Sequence, residues 1–425
     1  MYRKAIEDLK AWKNKAKRKP LMVYGARQVG KTWLIKQFGE SEYANVAYIM
    51  MADNPRMKNL FDGLSDAKKI IGGLEAEAGF GFNADDTLII LDEIQEVPLA
   101  ISAMKYLFEQ TPEYHIVCAG SLLGVTLNEG ISFPVGKVNS LYMYPMDFEE
   151  FVLAVKSEKY AELLHAESKV REPFHDELND ILRNYFVIGG MPEAVECFAT
   201  GGNYFDVREI QKQILSDYEH DFGKHAPANI VPRIQMVFSS IPSQLAKENK
   251  KFIYGVMKKG ARAKEYELAI QWLVDAGILC KVSRVNVPRY PLKHYEDVSA
   301  FKLFFVDVGL LSAMSDVEPR VVLEKNNIFV EYKGAMTEQY VACQLIAAKH
   351  TLYYYSSDDA KSEVDFIIGE NGTVLPIEVK SAENLSSKSL SFLLAKYNLE
   401  NAVKYSLLPE RKSGAIRNVP LYLCR

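Results

Sequence analysis

The stretch Gly25-Ala26-Arg27-Gln28-Val29-Gly30-Lys31-Thr32 decides the reading of this 425-residue chain. It spells G-x-x-x-x-G-K-[ST], the pattern of a phosphate-binding loop. The apolar run Leu21 to Tyr24 enters it as a short buried strand. Trp33, Leu34, Ile35 and Phe38 leave it at helical spacing. Glycines let the backbone curl until successive N–H groups point inward, and the helix N-terminus adds partial positive charge. Residues 25–32 are therefore expected to cradle the phosphates of a nucleotide. Lys31 would reach the β- and γ-phosphates, and the Thr32 hydroxyl would hold Mg²⁺.

A second run supplies what the loop lacks. Thr87-Leu-Ile-Ile-Leu-Asp92-Glu93 is a buried strand ending in two carboxylates, the Walker B pattern. A parallel strand carries such residues to its C-terminal edge, where ligands bind in α/β sheets. Asp92 is expected to hold the Mg²⁺ through water, and Glu93 to polarise the attacking water. His115 to Ala119 reads as a further buried strand, followed by Gly120-Ser121. Two readings stand for Ser121: a polar sensor of the γ-phosphate, or a serine in a turn. Residues 72–81 read as loose and Gly-rich.

Composition excludes several classes. Apolar residues make up 48% and charged residues 25%, ordinary for a globular chain. No apolar run approaches bilayer length, so no membrane partner is expected. The N-terminus has no signal-peptide core. The five cysteines are scattered without a C-x-x-C pair, which fits a reducing, cytoplasmic setting. The net charge of −4 is uneven: residues 247–293 hold eleven Lys/Arg against four Asp/Glu. That stretch is a candidate DNA contact, whereas the basic run 13–19 is read as a solvated helix end.

Further along come Phe133-Pro-Val-Gly136-Lys137 and Pro145-Met-Asp-Phe148-Glu-Glu-Phe151. Tyr185-Phe-Val-Ile-Gly189-Gly190-Met-Pro192 and Phe305-Val-Asp307-Val-Gly309 follow, and Glu378-Val-Lys380 lies near the C-terminus. With the loop and Asp92 to Gln95, these segments resemble a bacterial and archaeal family of AAA-type P-loop ATPases. Its members carry a C-terminal nuclease-like domain of unassigned function. The resemblance implies ATP and Mg²⁺ as cofactors. It implies a multidomain α/β architecture with four parts: an ATPase domain at 1–155, a helical lid at 156–229, a winged-helix-like domain at 230–315 and a restriction-endonuclease-like domain at 316–425. Many members have Gly-Arg where this chain has Gly136-Lys137. An arginine finger is worth about 10³–10⁵ in rate, and lysine cannot make its planar fork. Lys137 is then either a point charge at the nucleotide or a structural residue.

The basic stretch reads as helices followed by a hairpin, in winged-helix order. Leu268, Ile270, Trp272 and Leu273 form an expected stripe, and Lys258, Lys259, Arg262 and Lys264 stand near the recognition helix. Both DNA and protein are open as its partner. Asn371-Gly372 is a strong two-residue hairpin signal between two alternating runs. If it forms the turn, Phe366 faces Ile377 and Ile368 faces Leu375, while Asp365 lies opposite Glu378 and Glu363 opposite Lys380. Facing carboxylates repel unless a cation lies between them. A divalent metal on Asp365 and Glu378, with Lys380 positioning water, would give a D…E-x-K nuclease site, and Glu338 matches an additional glutamate. The leading expectation is Mg²⁺-dependent ATP hydrolysis coupled to DNA binding or processing. The rival is a slow ATP switch that scaffolds protein partners over an inactive nuclease fold, with homo-oligomers possible in either case.

Overall fold

The computed structural model describes residues 1–63, 65–121, 133–247, 251–323, 330–357, 362–381 and 387–425. The chain divides into two compact units, Tyr2–Tyr144 with Asp275–Gly277, and Pro145–Val274 with Ile278–Arg425 and Met1.

The N-terminal unit is built on a five-stranded sheet ordered β2-β3-β4-β1-β5. Its strands are β1 (Leu21–Tyr24), β2 (Asn45–Met50), β3 (Thr87–Asp92), β4 (His115–Ala119) and β5 (Asn139–Tyr142), all pairing in parallel. Every residue of β1, β3 and β4 is buried, as a parallel sheet covered on both faces requires. Helix α1 (Ala5–Lys13) buries Leu9 and Trp12, and α2 (Lys31–Glu42) buries Leu34, Ile35 and Phe38. Helix α3 (Pro55–Phe61) is capped by Asn54. Helix α4 (Ala67–Ala78) runs through the segment whose glycines suggested a loose chain. Gly72 and Gly73 each cost about 1 kcal/mol of helix propensity. Burial of Ile70, Ile71 and Leu74 and a side-chain cap from Asp66 offset that cost. Helix α5 (Pro98–Gln110) completes the covering layer.

The second unit is organised by one mixed sheet of eight strands, ordered β12-β13-β11-β10-β9-β8-β6-β7. These are β6 (Leu279–Val285), β7 (Glu296–Phe305), β8 (Tyr353–Ser356), β9 (Glu363–Glu370), β10 (Thr373–Val379), β11 (Ala402–Ser406), β12 (Arg411–Ser413) and β13 (Ile416–Pro420). Strand β6 lies in the stretch expected as the wing, residues 277–290, and pairs with β7 antiparallel and with β8 in parallel. The ladder thus runs across the boundary expected near residue 316. Ahead of the hairpin stand two α-helices, Val231–Leu245 and Ala263–Asp275, with a 3₁₀ turn at Tyr254–Val256 between them. Ile270, Trp272 and Leu273 are buried in the second helix, but Leu268 is 67% exposed and lies outside the stripe.

Two glycine turns fix long-range geometry here. Gly189 ends the helix His175–Ile188 at φ 76°, ψ −164°, a region open to glycine alone. The next residue, Gly190, donates its N–H to Asp307 Oδ2 at 2.7 Å, while Asp307 Oδ1 accepts from Leu310 N at 2.8 Å and caps the helix Val308–Met314. Burial pushes the Asp307 carboxyl up to about 6, against the pull of these backbone donors. In the β9–β10 hairpin, Asn371 and Gly372 both have positive φ, and the register joins Phe366 to Ile377 and Ile368 to Leu375. That is the register the turn dipeptide dictates.

Candidate functional site

The phosphate loop follows the C-terminal end of β1. Gly25 sits at φ 142°, and a Cβ there would lie 2.2 Å from the Met143 carbonyl oxygen, so only glycine passes this point. Gly30 adopts the left-handed conformation and leads into α2, which begins at Lys31. The Lys31 ammonium is drawn into the loop, donating to Gly25 O at 2.8 Å and Ala26 O at 2.7 Å. Burial pushes its pKa down to about 8; Glu93 and Asp92 pull it upward, and Arg27 opposes them.

Beside it, Thr32 Oγ1 donates to Asp92 Oδ2 at 2.8 Å, joining residues sixty apart in sequence. Tyr48 on β2 donates to the same oxygen at 2.8 Å, and Asp92 Oδ1 accepts from Glu93 N at 3.1 Å. Glu93 turns at φ 52° immediately after β3. Its Oε2 accepts from Gln95 Nε2 and, at 3.4 Å, from Ser121 Oγ. The structure therefore brings Lys31, Thr32, Asp92, Glu93 and Ser121 to one edge of the sheet. Gln95 joins them from the Asp92 to Gln95 segment, and Tyr48 without any sequence motif to announce it.

A hydroxyl and a carboxylate oxygen already in contact are hard donors suited to Mg²⁺. The curled loop with an ammonium at its floor suits a polyphosphate. The residues present thus fit ATP and Mg²⁺.

Lys137 stands elsewhere. β5 runs parallel to β1 with Leu21 beside Asn139 and Tyr24 beside Tyr142. Lys137 precedes β5, so it lies at the sheet edge opposite the loop, roughly 13 Å away along four strand residues. Its ammonium pairs there with Glu109 at 2.8 Å. The structure does not bring Lys137 to the loop of its own chain.

In the second unit the C-terminal carboxylates are partnered from within. Lys302 on β7 is fully buried, with Nζ 2.6 Å from Glu363 Oε1 and 3.1 Å from Glu338 Oε1. Burial opposes its charge, but Glu338, Glu363 and Asp365 outweigh that and raise its pKa well above the ordinary lysine range. Asp365 Oδ2 accepts from Val379 N at 2.7 Å. Glu378 Oε1 holds Lys380 Nζ at 2.6 Å. Among the described residues, no group of three or more His, Cys, Asp or Glu is arranged to hold a metal. Lys302 carried no signal in the sequence. The basic residues Lys258, Lys259, Arg262 and Lys264 are all exposed about the start of the helix Ala263–Asp275.

Comparison with known proteins bears on three segments. Residues 17–152 match the family described as "AAA domain". Residues 179–321 match a domain of unknown function (DUF8612), and residues 333–422 match another (DUF4143). No curated protein matches the chain. Among solved structures, the Walker-type ATPase PABY2304 of Pyrococcus abyssi is similar at 13% identity and a TM-score of 0.45, covering 73% of this chain and 94% of that one. The Aeropyrum pernix ORC1 protein in complex with DNA is similar at 14% identity and a TM-score of 0.28, covering 75% and 92%. A signal transduction ATPase with numerous domains, PH0952 from Pyrococcus horikoshii, is similar at 13% identity and a TM-score of 0.27, covering 82% and 45%. No helix among the described residues is long and apolar enough to cross a membrane. The AAA match falls on the parallel sheet that carries the loop, Thr32 and Asp92 on one edge, so residues 17–152 are an α/β, ATPase-like P-loop domain.

Proposed function

We propose that the chain binds ATP with Mg²⁺ at Gly25–Thr32 and hydrolyses it. The observation that carries this is the 2.8 Å contact between the Thr32 hydroxyl and the Asp92 carboxylate, set beside Lys31 in the loop. Bound Mg²⁺ would neutralise phosphate charge as the terminal phosphoryl group leaves. Thr32 and Asp92 would hold it, with Tyr48 keeping the Asp92 carboxylate turned toward the loop. Lys31 would leave its carbonyl partners for the β- and γ-phosphates. Glu93 would orient the attacking water and accept its proton, released from Gln95 and Ser121. Purified protein should turn over ATP only with Mg²⁺. Lys31→Ala should bind nucleotide weakly and lose turnover, and Glu93→Gln should retain ATP while losing turnover at least tenfold. Equal turnover in wild type and Lys31→Ala would reject the assignment.

A second reading, the slow switch, is favoured by the placement of Lys137. Its ammonium is occupied by Glu109 at the far edge of the sheet, so no Gly-Lys cation of the same chain reaches the phosphates. Under this reading ATP is held for long periods and its presence is reported to a partner. That partner is a protein under this reading, whereas the exposed Lys258, Lys259, Arg262 and Lys264 support DNA contact under the first, through winged-helix-like phosphate contacts. Five free cysteines fit a reducing compartment.

A further inference from the structure

We propose that Lys302 is a built-in cation standing where a divalent metal would stand among the C-terminal carboxylates, and that this cluster takes up no metal. The inference is independent of the nucleotide reading. Opposed carboxylates in a folded protein need a positive charge between them. Here β7 supplies it. The Lys302 side chain is 0% exposed and lies 2.6 Å from Glu363, 3.1 Å from Glu338 and 4.9 Å over the ring of Tyr354. Those partners come from β9, the helix Val330–Ala347 and β8, so one ammonium ties three distant stretches to β7.

The separations are those of charge-assisted hydrogen bonds. Mg²⁺ requires oxygens at about 2.0–2.1 Å and Ca²⁺ at about 2.3–2.6 Å, so carboxylates spaced for an ammonium must close in before either ion fits. A second cation on the same oxygens would also face the ammonium at close range in a buried, low-dielectric setting. The neighbouring carboxylates also have partners within the fold. Asp365 Oδ2 is occupied by the Val379 N–H, and Glu378 Oε1 by Lys380 at 2.6 Å. Glu378 also attracts the buried Lys404. Glu338, Glu363, Asp365 and Glu378 thus meet Lys302, Lys380 and Lys404, four negative charges against three positive. Glu378 Oε2 is a buried acceptor with no hydrogen-bond partner and is the oxygen that a metal would have to use. Without a bound metal, the cluster is a structural clasp and supplies no metal-activated water for phosphodiester attack.

The test is Mn²⁺ binding to nucleotide-free protein, read by the loss of the free-ion resonance signal. Wild type, Asp365→Asn and Glu378→Gln should bind the same number of Mn²⁺ ions, because any ion at the phosphate loop is common to all three. Lys302→Met should gain one Mn²⁺ per chain, and Lys302→Met/Glu363→Gln should lose it again. An ion bound by wild type and lost in Asp365→Asn or Glu378→Gln overturns the proposal. So does a folded Lys302→Met protein that gains none. If Lys302→Met fails to fold, the comparison of wild type with the two carboxylate variants decides alone.

Discussion

Lys31 allows the nucleotide site to be tested by proton linkage. Burial lowers its pKa from 10.5 to about 8 in the free protein. That lowering corresponds to about 3 kcal/mol disfavouring the ammonium. Phosphates need that ammonium, so binding above pH 8 must draw a proton from solvent. With the bound-state pKa restored above 10, affinity should fall about 25-fold between pH 7.5 and 9.5 from this group alone. The free fold has the opposite dependence. Its pKa is depressed, so the unfolded chain binds more protons between pH 8 and 10.5, and stability of the free protein rises across that window. Calorimetric titration of a non-hydrolysable ATP analogue, in buffers of differing ionisation enthalpy, reads both affinity and proton uptake. Residual binding by Lys31→Met should be flat over the same range. A wild-type affinity constant from pH 7.5 to 9.5, or an equal slope in Lys31→Met, would refute the reasoning.

Two other outcomes follow from the geometry. Gly189→Ala places a Cβ 2.1 Å from Asp307 Oδ1 in a conformation only glycine tolerates, and should cost about 3–5 kcal/mol in urea unfolding. The same substitution in an Asp307→Ala background should cost less, and equal costs in the two backgrounds would reject the clash. Lys137→Ala removes an ion pair with Glu109 at the edge away from the loop and should leave ATP affinity within about twofold. An affinity loss beyond tenfold would put Lys137 at the nucleotide after all.

What the sequence disclosed depended on how local the information was. Gly25 to Thr32 and Asp92-Glu93 were legible because each motif is a contiguous strand end. Asn371-Gly372 fixed the β9–β10 register because one turn sets every pair after it. The contact of Gly190 with Asp307 spans 117 residues; both segments were visible, but nothing in either indicates the other. Lys302 stayed hidden for the same reason. Its partners lie 36 and 61 residues downstream, on elements whose pairing is set only by the finished sheet. The expectation of a metal between the carboxylates recognised the need for a positive charge. It gave no sign of the lysine on a distant strand that meets the neighbouring Glu363 and Glu338.

The joining of β6 to β8 also bears on how the chain is made. Ser283 meets Tyr353 across a parallel ladder, seventy residues later in the chain. At about 5–20 residues per second, the ribosome needs about 4–14 s to deliver the second strand after the first. For that interval one flank of the β6–β7 hairpin has its N–H and C=O groups unpaired, a template for other chains. The five strands of the N-terminal sheet all lie between Leu21 and Tyr142 and can close long before. The nascent protein thus emerges with its early sheet complete and its late one open, and a holding chaperone would have its clearest task over residues 279–353.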